Sequence, residues 1–232
     1  MGQNSTIEWT EATWNPWHGC AKISPGCAHC YMYREKRRYG QNPDIVVRSK
    51  TSFDAPSKWT KSKMIFTCSW SDFFIENADA WRPEAWEIIR RTPQHTYQIL
   101  TKRPDRITNS LPPGWPFENV WLGVSVENPR FYWRIKTLEV VPASVRFLSL
   151  EPLLAPMSKL PLGGISWVVV GGESGPHCRP MEPDWVREIR EQCSNAGTAF
   201  FFKQWGGPRK DMTGRILDGK TWDAMPLRII PA

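Results

Sequence analysis

Six short runs of β-branched and aromatic residues recur along the chain, with helical stretches between them. Successive runs begin 20 to 33 residues apart, which suits strand–helix units because a parallel crossover needs a dozen or more residues. Several runs are apolar on both faces, as strands covered by helices on either side are. The runs are Met64–Ser69, Thr96–Thr101, Val120–Val126, Val145–Leu150, Ile165–Gly171 and Thr198–Lys203. This alternation predicts one α/β domain over residues 1–232, either a barrel or a doubly wound sheet.

Helix signals lie between these runs. Prolines mark the starts of helices, and glycines or basic residues mark their ends. The predicted helices are a basic one directly after Cys30, one from Pro83 to Arg91, one from Pro129 to about Glu139, and one capped by Asp184 that ends near Gly197.

The composition is that of a globular protein, with 41% hydrophobic and 23% charged residues. No apolar run approaches the roughly 18 residues that a membrane helix needs. The first residues, MGQNSTIEWTEATW, lack the features of a secretory signal, so we expect a cytoplasmic protein with no membrane partner. Lys and Arg number 30 against 23 Asp and Glu, and the resulting net charge of +7 favours an anionic partner such as a nucleic acid.

Three of the six cysteines, Cys20, Cys27 and Cys30, lie within eleven residues in the spacing C-x6-C-x2-C. This segment, at about residues 18–31, is predicted to be a metal or cluster loop. Three thiolates without a fourth cysteine suit a [4Fe–4S] cluster with one iron open to an outside ligand. A zinc site is the alternative, with His18 better placed than His29 to supply the fourth ligand, and a loop without metal is the third possibility.

Polar residues follow each predicted strand. Because active sites of β/α barrels are built at the carboxyl ends of strands, these residues are expected to line one mouth. Ordinary loop residues and helix caps are the alternative interpretation. The polar strand ends carry Ser71 and Asp72; Thr101, Lys102 and Arg103; Ser125, Glu127 and Asn128; Ser149 and Glu151; Glu173 and Ser174; and Lys203 and Gln204.

Two loops at these strand ends carry groups that are suited to binding a ligand. The segment GGESG permits close backbone approach to a ligand, and its Glu173 is available to bind an amino or hydroxyl group. Lys102 and Arg103 are two cations that would hold a carboxylate or a phosphate. Cys178, in the loop after GGESG, is a candidate hydrogen-atom donor or fourth cluster ligand. No GxSxG motif supports nucleophilic hydrolysis.

The ordered motifs resemble a bacteriophage and bacterial family that is defined by its three-cysteine motif and has no assigned function. The resemblance covers nearly the whole chain. That family in turn is similar to radical S-adenosylmethionine (SAM) enzymes, with spore photoproduct lyase as the nearest characterised type. The motifs are TIEWTEATWNPWHGCAKISPGCAHCY, TCSWSDFF, ILTKRP, WLGVSVEN, FLSLEPLL, VVVGGESG and FFKQWGG.

The radical SAM resemblance implies a partial (β/α) barrel of that type, with parallel strands alternating with helices. It implies a [4Fe–4S] cluster on Cys20, Cys27 and Cys30, SAM chelating the open iron, and an electron donor such as a flavodoxin or ferredoxin. Reductive cleavage of SAM would give a 5′-deoxyadenosyl radical that abstracts hydrogen from a substrate, which we expect to be a nucleic acid or nucleotide. The first cysteine gap is six residues, whereas the motif common in that superfamily has three.

Strand order extends the resemblance to further residues. Ser69, Ser71 and Asp72 correspond to the loop that holds the SAM amino group, and Ser125, Glu127, Glu151 and Glu173 are expected to contact SAM or substrate. Lys102, Arg103 and Lys203 are expected to bind substrate. The alternative function is a zinc-stabilised nucleic-acid-binding protein without catalysis, using Lys36, Arg37 and Arg38.

Overall fold

A computed structural model of the protein describes residues 2–228. Its strands are β1 (Ala12–Trp14), β2 (Trp17–His18), β3 (Val47–Arg48), β4 (Met64–Thr67), β5 (Thr96–Thr101), β6 (Val120–Ser125), β7 (Val145–Leu150), β8 (Trp167–Gly171) and β9 (Ala199–Gln204). Its α-helices are α1 (Tyr31–Arg38), α2 (Arg82–Arg91), α3 (Tyr132–Glu139), α4 (Pro183–Ala196) and α5 (Lys210–Thr213). Short 3-10 helices lie at Pro25–Cys27, Ala55–Lys58, Glu76–Ala78, Pro104–Arg106, Thr108–Ser110 and Pro129–Phe131.

Seven strands form one sheet in the order β1-β4-β5-β6-β7-β8-β9, and every neighbouring pair is parallel. This order follows the chain without reversal, whereas a doubly wound sheet reverses its strand order at a switch point. The sheet is therefore a curled half-barrel flanked by helices. Strands β2 and β3 form a separate antiparallel pair. None of the helices within residues 2–228 is long and apolar enough to cross a membrane.

All six predicted strands are present, with ends that differ from the prediction by a few residues. The first barrel strand, β1, was not predicted because it has only three residues and no apolar run of its own. The predicted helices are also present, but Asp184 does not cap α4. Glu182 holds the cap position and Pro183 the first turn, where its fixed φ angle suits the helix.

The inward-facing residues of the half-barrel change from large to small along the strands. On β6, Trp121 lies in an inner aromatic cluster with Phe147 and Trp167, whereas Ser125 faces the open mouth. A Cβ atom at Gly123 would lie 2.5 Å from the Phe147 ring, so glycine makes room for this ring. The amino end of the barrel is thus filled, and its carboxyl end is left open for a site.

Candidate functional site

A cavity of about 850 Å³ opens at the carboxyl ends of the parallel strands. Its size is within the range of small-molecule sites. All the predicted site residues except Glu127 and Cys178 lie on its wall: Cys20, Cys27, Cys30, Ser69, Ser71, Asp72, Lys102, Arg103, Ser125, Glu151, Glu173 and Lys203. These predicted residues therefore line one cavity.

The three cysteines lie on the loop that follows β1 and β2 and leads into α1. All three are free thiols and are half-buried. The loop starts at Gly19, whose φ of +100° and approach to the Ile45 carbonyl leave no room for a side chain, since a Cβ would lie 2.2 Å from that oxygen. Cys30 is the residue that precedes the first turn of α1. The barrel thus presents the thiols together at one wall.

Glu127 supports this loop from behind. The residue is fully buried, and its Oε1 accepts a hydrogen bond from the Gly26 N–H at 3.2 Å. Its Oε2 accepts from Arg134 Nη1 at 2.8 Å, and the same nitrogen donates to the Ser125 carbonyl. Glu127 was expected to contact SAM or substrate; it does not reach the cavity wall, because Gly26 and Arg134 take up both of its oxygens.

Glu173 lies on the wall and also holds the cysteine loop. Its Oε2 lies 2.9 Å from His29 Nδ1 and accepts from the backbone N–H and the Nε of Arg179. Arg179 in turn donates to the Pro25 carbonyl at 3.0 Å. Burial alone would raise the pKa of Glu173, but the hydrogen bonds from Arg179 and His29 bring it down to about 2. The Glu173 carboxylate is therefore ionised, and its hydrogen bonds to His29 and Arg179 hold the cysteine loop.

Asp72 and Arg103 form a second connection to the cysteines. Asp72 accepts hydrogen bonds from Thr101 Oγ1 at 2.7 Å and from the Lys102 N–H at 2.9 Å, and it pairs with Arg103 at 3.2 Å. Arg103 Nη1 lies 3.8 Å from Cys20 Sγ. Burial raises the pKa of the Cys20 thiol to about 12, with Asp72 adding to the rise and Arg103 opposing it. Arg103, expected to bind substrate, lies on the cavity wall and also contacts Cys20.

The loop after β4 is also tied to the cysteine loop. Ser71 Oγ donates to the Gly19 carbonyl at 2.6 Å, and the Tyr31 hydroxyl donates to the Ser69 carbonyl. Asn15 Nδ2 donates to Ser69 Oγ at 2.9 Å. Sequence reasoning did not identify Asn15, because nothing in its local pattern marks it as a partner of a loop more than fifty residues away.

Another part of the cavity wall is a polar network around Glu151. Lys203 Nζ donates to both carboxylate oxygens, at 2.7 and 2.8 Å, and Gln204 Nε2 lies 3.2 Å from one of them. Gln204 also donates to Ser174 Oγ at 2.8 Å. Gly171 gives Glu151 its space, since a Cβ there would lie 3.1 Å from the carboxyl carbon. Gln204, expected at the mouth only as a polar strand end and without a role of its own, is buried in this network and lies on the cavity wall.

The remaining wall of the cavity combines an apolar floor with serines. Trp9 and Phe66 lie at the floor, with ring centroids 4.7 Å apart. Ser125 and Ser149 are register partners on β6 and β7 and face the opening. Such a lining suits a ligand that has a flat apolar part and polar or charged ends. Cys178, predicted as a donor or ligand, is half-buried and is not among the residues of this wall.

Three cysteine thiols on the cavity wall are a donor set that a [4Fe–4S] cluster with one open iron would use. No three His, Cys, Asp or Glu side chains among residues 2–228 converge as ligands of one metal ion would. Cysteines that hold a cluster surround a body larger than an ion, and three free thiols on one cavity wall offer the chemistry and the space for it. His29 hydrogen-bonds Glu173 through Nδ1, an arrangement that metal-ligating histidines also adopt, and His18 is not on the cavity wall.

Helix α1 begins at the cysteine loop and carries a basic surface. Arg34, Arg37 and Arg38 are exposed, and Arg34 also lies on the cavity wall. Lys36, grouped with Arg37 and Arg38 in the alternative function, is only 2% exposed and does not face solvent. Its position on the inner side of the amphipathic helix explains the difference.

Comparison with known proteins gives a family but no characterised relative. A family model described as "Protein of unknown function (DUF5131)" matches residues 4–226. No curated protein and no solved structure matches the chain. Since the match spans nearly all of the sequence and every residue of the cavity wall, the chain belongs to the DUF5131 family.

Proposed function

We propose that this protein is a radical SAM enzyme that holds a [4Fe–4S] cluster on Cys20, Cys27 and Cys30. The observation that carries the proposal is the placement of three free thiols on one wall of the mouth of a parallel half-barrel. The thiols lie on the loop after the first barrel strand, at the carboxyl edge where β/α barrels build their active sites.

The chemistry proposed needs an open iron and a neighbouring space for SAM. When bound and reduced, the cluster on Cys20, Cys27 and Cys30 would supply the one electron that cleaves SAM to methionine and a 5′-deoxyadenosyl radical, which would take a hydrogen atom from the substrate. The chain's own part is to hold the thiols, to bind SAM and to keep water from the radical. Half-buried cysteines beside an aromatic floor support that assignment.

Within this proposal, the residues in and behind the cavity wall divide into two groups. Glu127, Glu173 and Arg103 hold the cysteine loop, as their contacts indicate. Ser125, Ser149 and the Glu151–Lys203 pair face the open volume and are proposed to bind SAM or substrate. Ser69 and Ser71 lie between the two groups, at the end of the second barrel strand.

The substrate proposed is a nucleic acid or a nucleotide. The net charge of +7 supports an anionic partner, and the exposed cations of α1 lie where the cysteine loop ends. Lys102 adds a cation at the mouth that makes no side-chain hydrogen bond or ion pair within the described part of the chain. A phosphate group close to the mouth would be attracted to these charges.

The test is anaerobic purification, reconstitution, and analysis for iron, sulfide and zinc. We expect about four irons per chain. We also expect an EPR signal of the reduced protein that changes when SAM is added, and formation of 5′-deoxyadenosine. Cys20→Ala should lose most of the iron. Cys178→Ala removes a half-buried cysteine that is not on the cavity wall, and it should keep the iron.

Two results would overturn the proposal. One zinc and no iron after reconstitution would favour the zinc-stabilised nucleic-acid-binding protein. Iron loss in Cys178→Ala equal to that in Cys20→Ala would show that the clustered cysteines are not the ligands.

A further inference from the structure

Within residues 2–228, Arg103 is the only charged side chain that hydrogen-bonds to a cysteine sulfur of the loop, that of Cys20. We propose that Arg103 is a positioning residue for Cys20 and that its guanidinium raises the reduction potential of the cluster held there. This inference rests on the proposed function, because it assigns a role toward the same cluster.

The geometry holds the Arg103 guanidinium at the cysteine. Its Nη1 lies 3.8 Å from Cys20 Sγ and 3.2 Å from Asp72 Oδ2, and its Nη2 donates to the Ala21 carbonyl at 2.9 Å. The side chain is 11% exposed. One planar group therefore contacts the thiol, the backbone next to it and a buried carboxylate.

The backbone that carries Arg103 is fixed as well. The Arg103 N–H donates to Thr101 Oγ1 at 2.9 Å, and Thr101 Oγ1 donates to Asp72 at 2.7 Å. Thr101 is the last residue of β5, and Arg103 follows it two residues later. Strand β5 lies inside the sheet, between β4 and β6. Since the planar fork of arginine is rigid and always charged, the guanidinium keeps its place when the state of the sulfur changes.

The direction of the effect follows from electrostatics. Reduction adds one negative charge to a cluster, and a neighbouring cation that donates to a ligand sulfur stabilises the more negative state. Hydrogen bonds to the sulfurs, net charge and solvent exposure are known to set the potentials of such clusters. Arg103 supplies a hydrogen bond and a positive charge at a site with little solvent to screen them.

The experiment is an EPR-monitored redox titration of the reconstituted full chain and three variants. Arg103→Met should shift the midpoint potential of the cluster to a more negative value, and Arg103→Lys, which keeps the charge, should restore part of that shift. Lys102→Met removes the adjacent cation, whose side chain contacts none of the three cysteines within residues 2–228, and it should leave the potential unchanged. If Arg103→Met does not fold, Arg103→Gln gives the same comparison.

The outcomes separate this inference from the proposed function. A wild-type protein that takes up no iron would overturn both. A cluster that forms with equal potentials in the wild type and Arg103→Met would overturn the inference alone. An equal shift in Lys102→Met would also overturn it, because general surface charge would then account for the effect.

Discussion

The side chain of Glu127 accepts a hydrogen bond from the backbone N–H of Gly26, 101 residues earlier in the chain, at 3.2 Å. Glu127 is fully buried, and its ion-pair partner Arg134 is 1% exposed. The buried Glu127–Arg134 ion pair therefore joins helix α3, the end of β6 and the cysteine loop. A Cβ at Gly26 would lie 2.9 Å from the Glu127 carboxylate, so glycine is required for the contact.

Substitution Glu127→Gln should strongly destabilise the protein, because it leaves the Arg134 charge buried without its counter-ion. Breaking a buried pair in this way typically lowers the free energy of unfolding by about 3–5 kcal/mol. Urea denaturation measures the loss. Glu118→Gln changes an exposed carboxylate whose side chain makes no hydrogen bond or ion pair among the described residues. Its free energy of unfolding should stay within about 0.5 kcal/mol of the wild-type value. Equal losses in the two variants would contradict the role of the pair.

A second carboxylate gives a prediction about pH. The pKa of Glu173 is about 2 in the folded protein, because Arg179 and His29 outweigh the effect of burial, against an ordinary value of 4.5. Its contribution to stability is therefore complete above about pH 4.5 and is lost as the pH falls toward 2.

The Glu173→Gln variant isolates this contribution. The difference in unfolding free energy between wild type and variant should be on the order of 2 kcal/mol at pH 7 and should shrink below pH 4.5. Urea denaturation of the metal-free proteins at several pH values measures it. A difference that does not change with pH would mean that the Glu173 carboxylate is not held in its charged form.

The strand ends were predictable because parallel strands covered on both faces are apolar throughout, and the polar residues that follow them stand out. That argument placed Glu151 and Lys203 at the mouth, where they pair. It could not say which strand-end residues face the open cavity. Glu127 and Glu173 have the same local pattern as Glu151, yet both turn to the cysteine loop.

The partners of those residues were beyond the reach of sequence reasoning for a physical reason. Arg179 and Asn15 come near the site only because the half-barrel curls and brings distant loops together. Trp9 belongs to the floor although it precedes the first strand. Periodicity describes one element at a time, so contacts that join elements far apart in the chain leave no local signal.

The inner aromatic cluster predicts the effect of a small substitution on β6. In Gly123→Ala the added Cβ would lie 2.5 Å from the Phe147 ring, which is packed against Trp167. Overpacking of this kind lowers the free energy of unfolding by about 1–3 kcal/mol. Thermal or urea denaturation would show the loss. Gly163→Ala is the matched control, since nothing lies within 4 Å of a Cβ there, and a loss in Gly163→Ala as large would refute the packing argument.

Filling the mouth tests whether the open volume binds SAM. Ser149 is 3% exposed and faces the cavity from β7, so Ser149→Leu would replace one hydroxyl oxygen with three carbon atoms where the ligand is proposed to lie. We expect SAM affinity, measured by calorimetry on the reconstituted protein, to fall at least tenfold, or by about 1.4 kcal/mol. The iron content should stay at the wild-type level, because the Ser149 hydroxyl makes no hydrogen bond to any of the three cysteines within residues 2–228. Ser158→Leu, on the exposed surface, is the control and should bind SAM as the wild type does. Unchanged affinity in Ser149→Leu would place the SAM site outside this cavity.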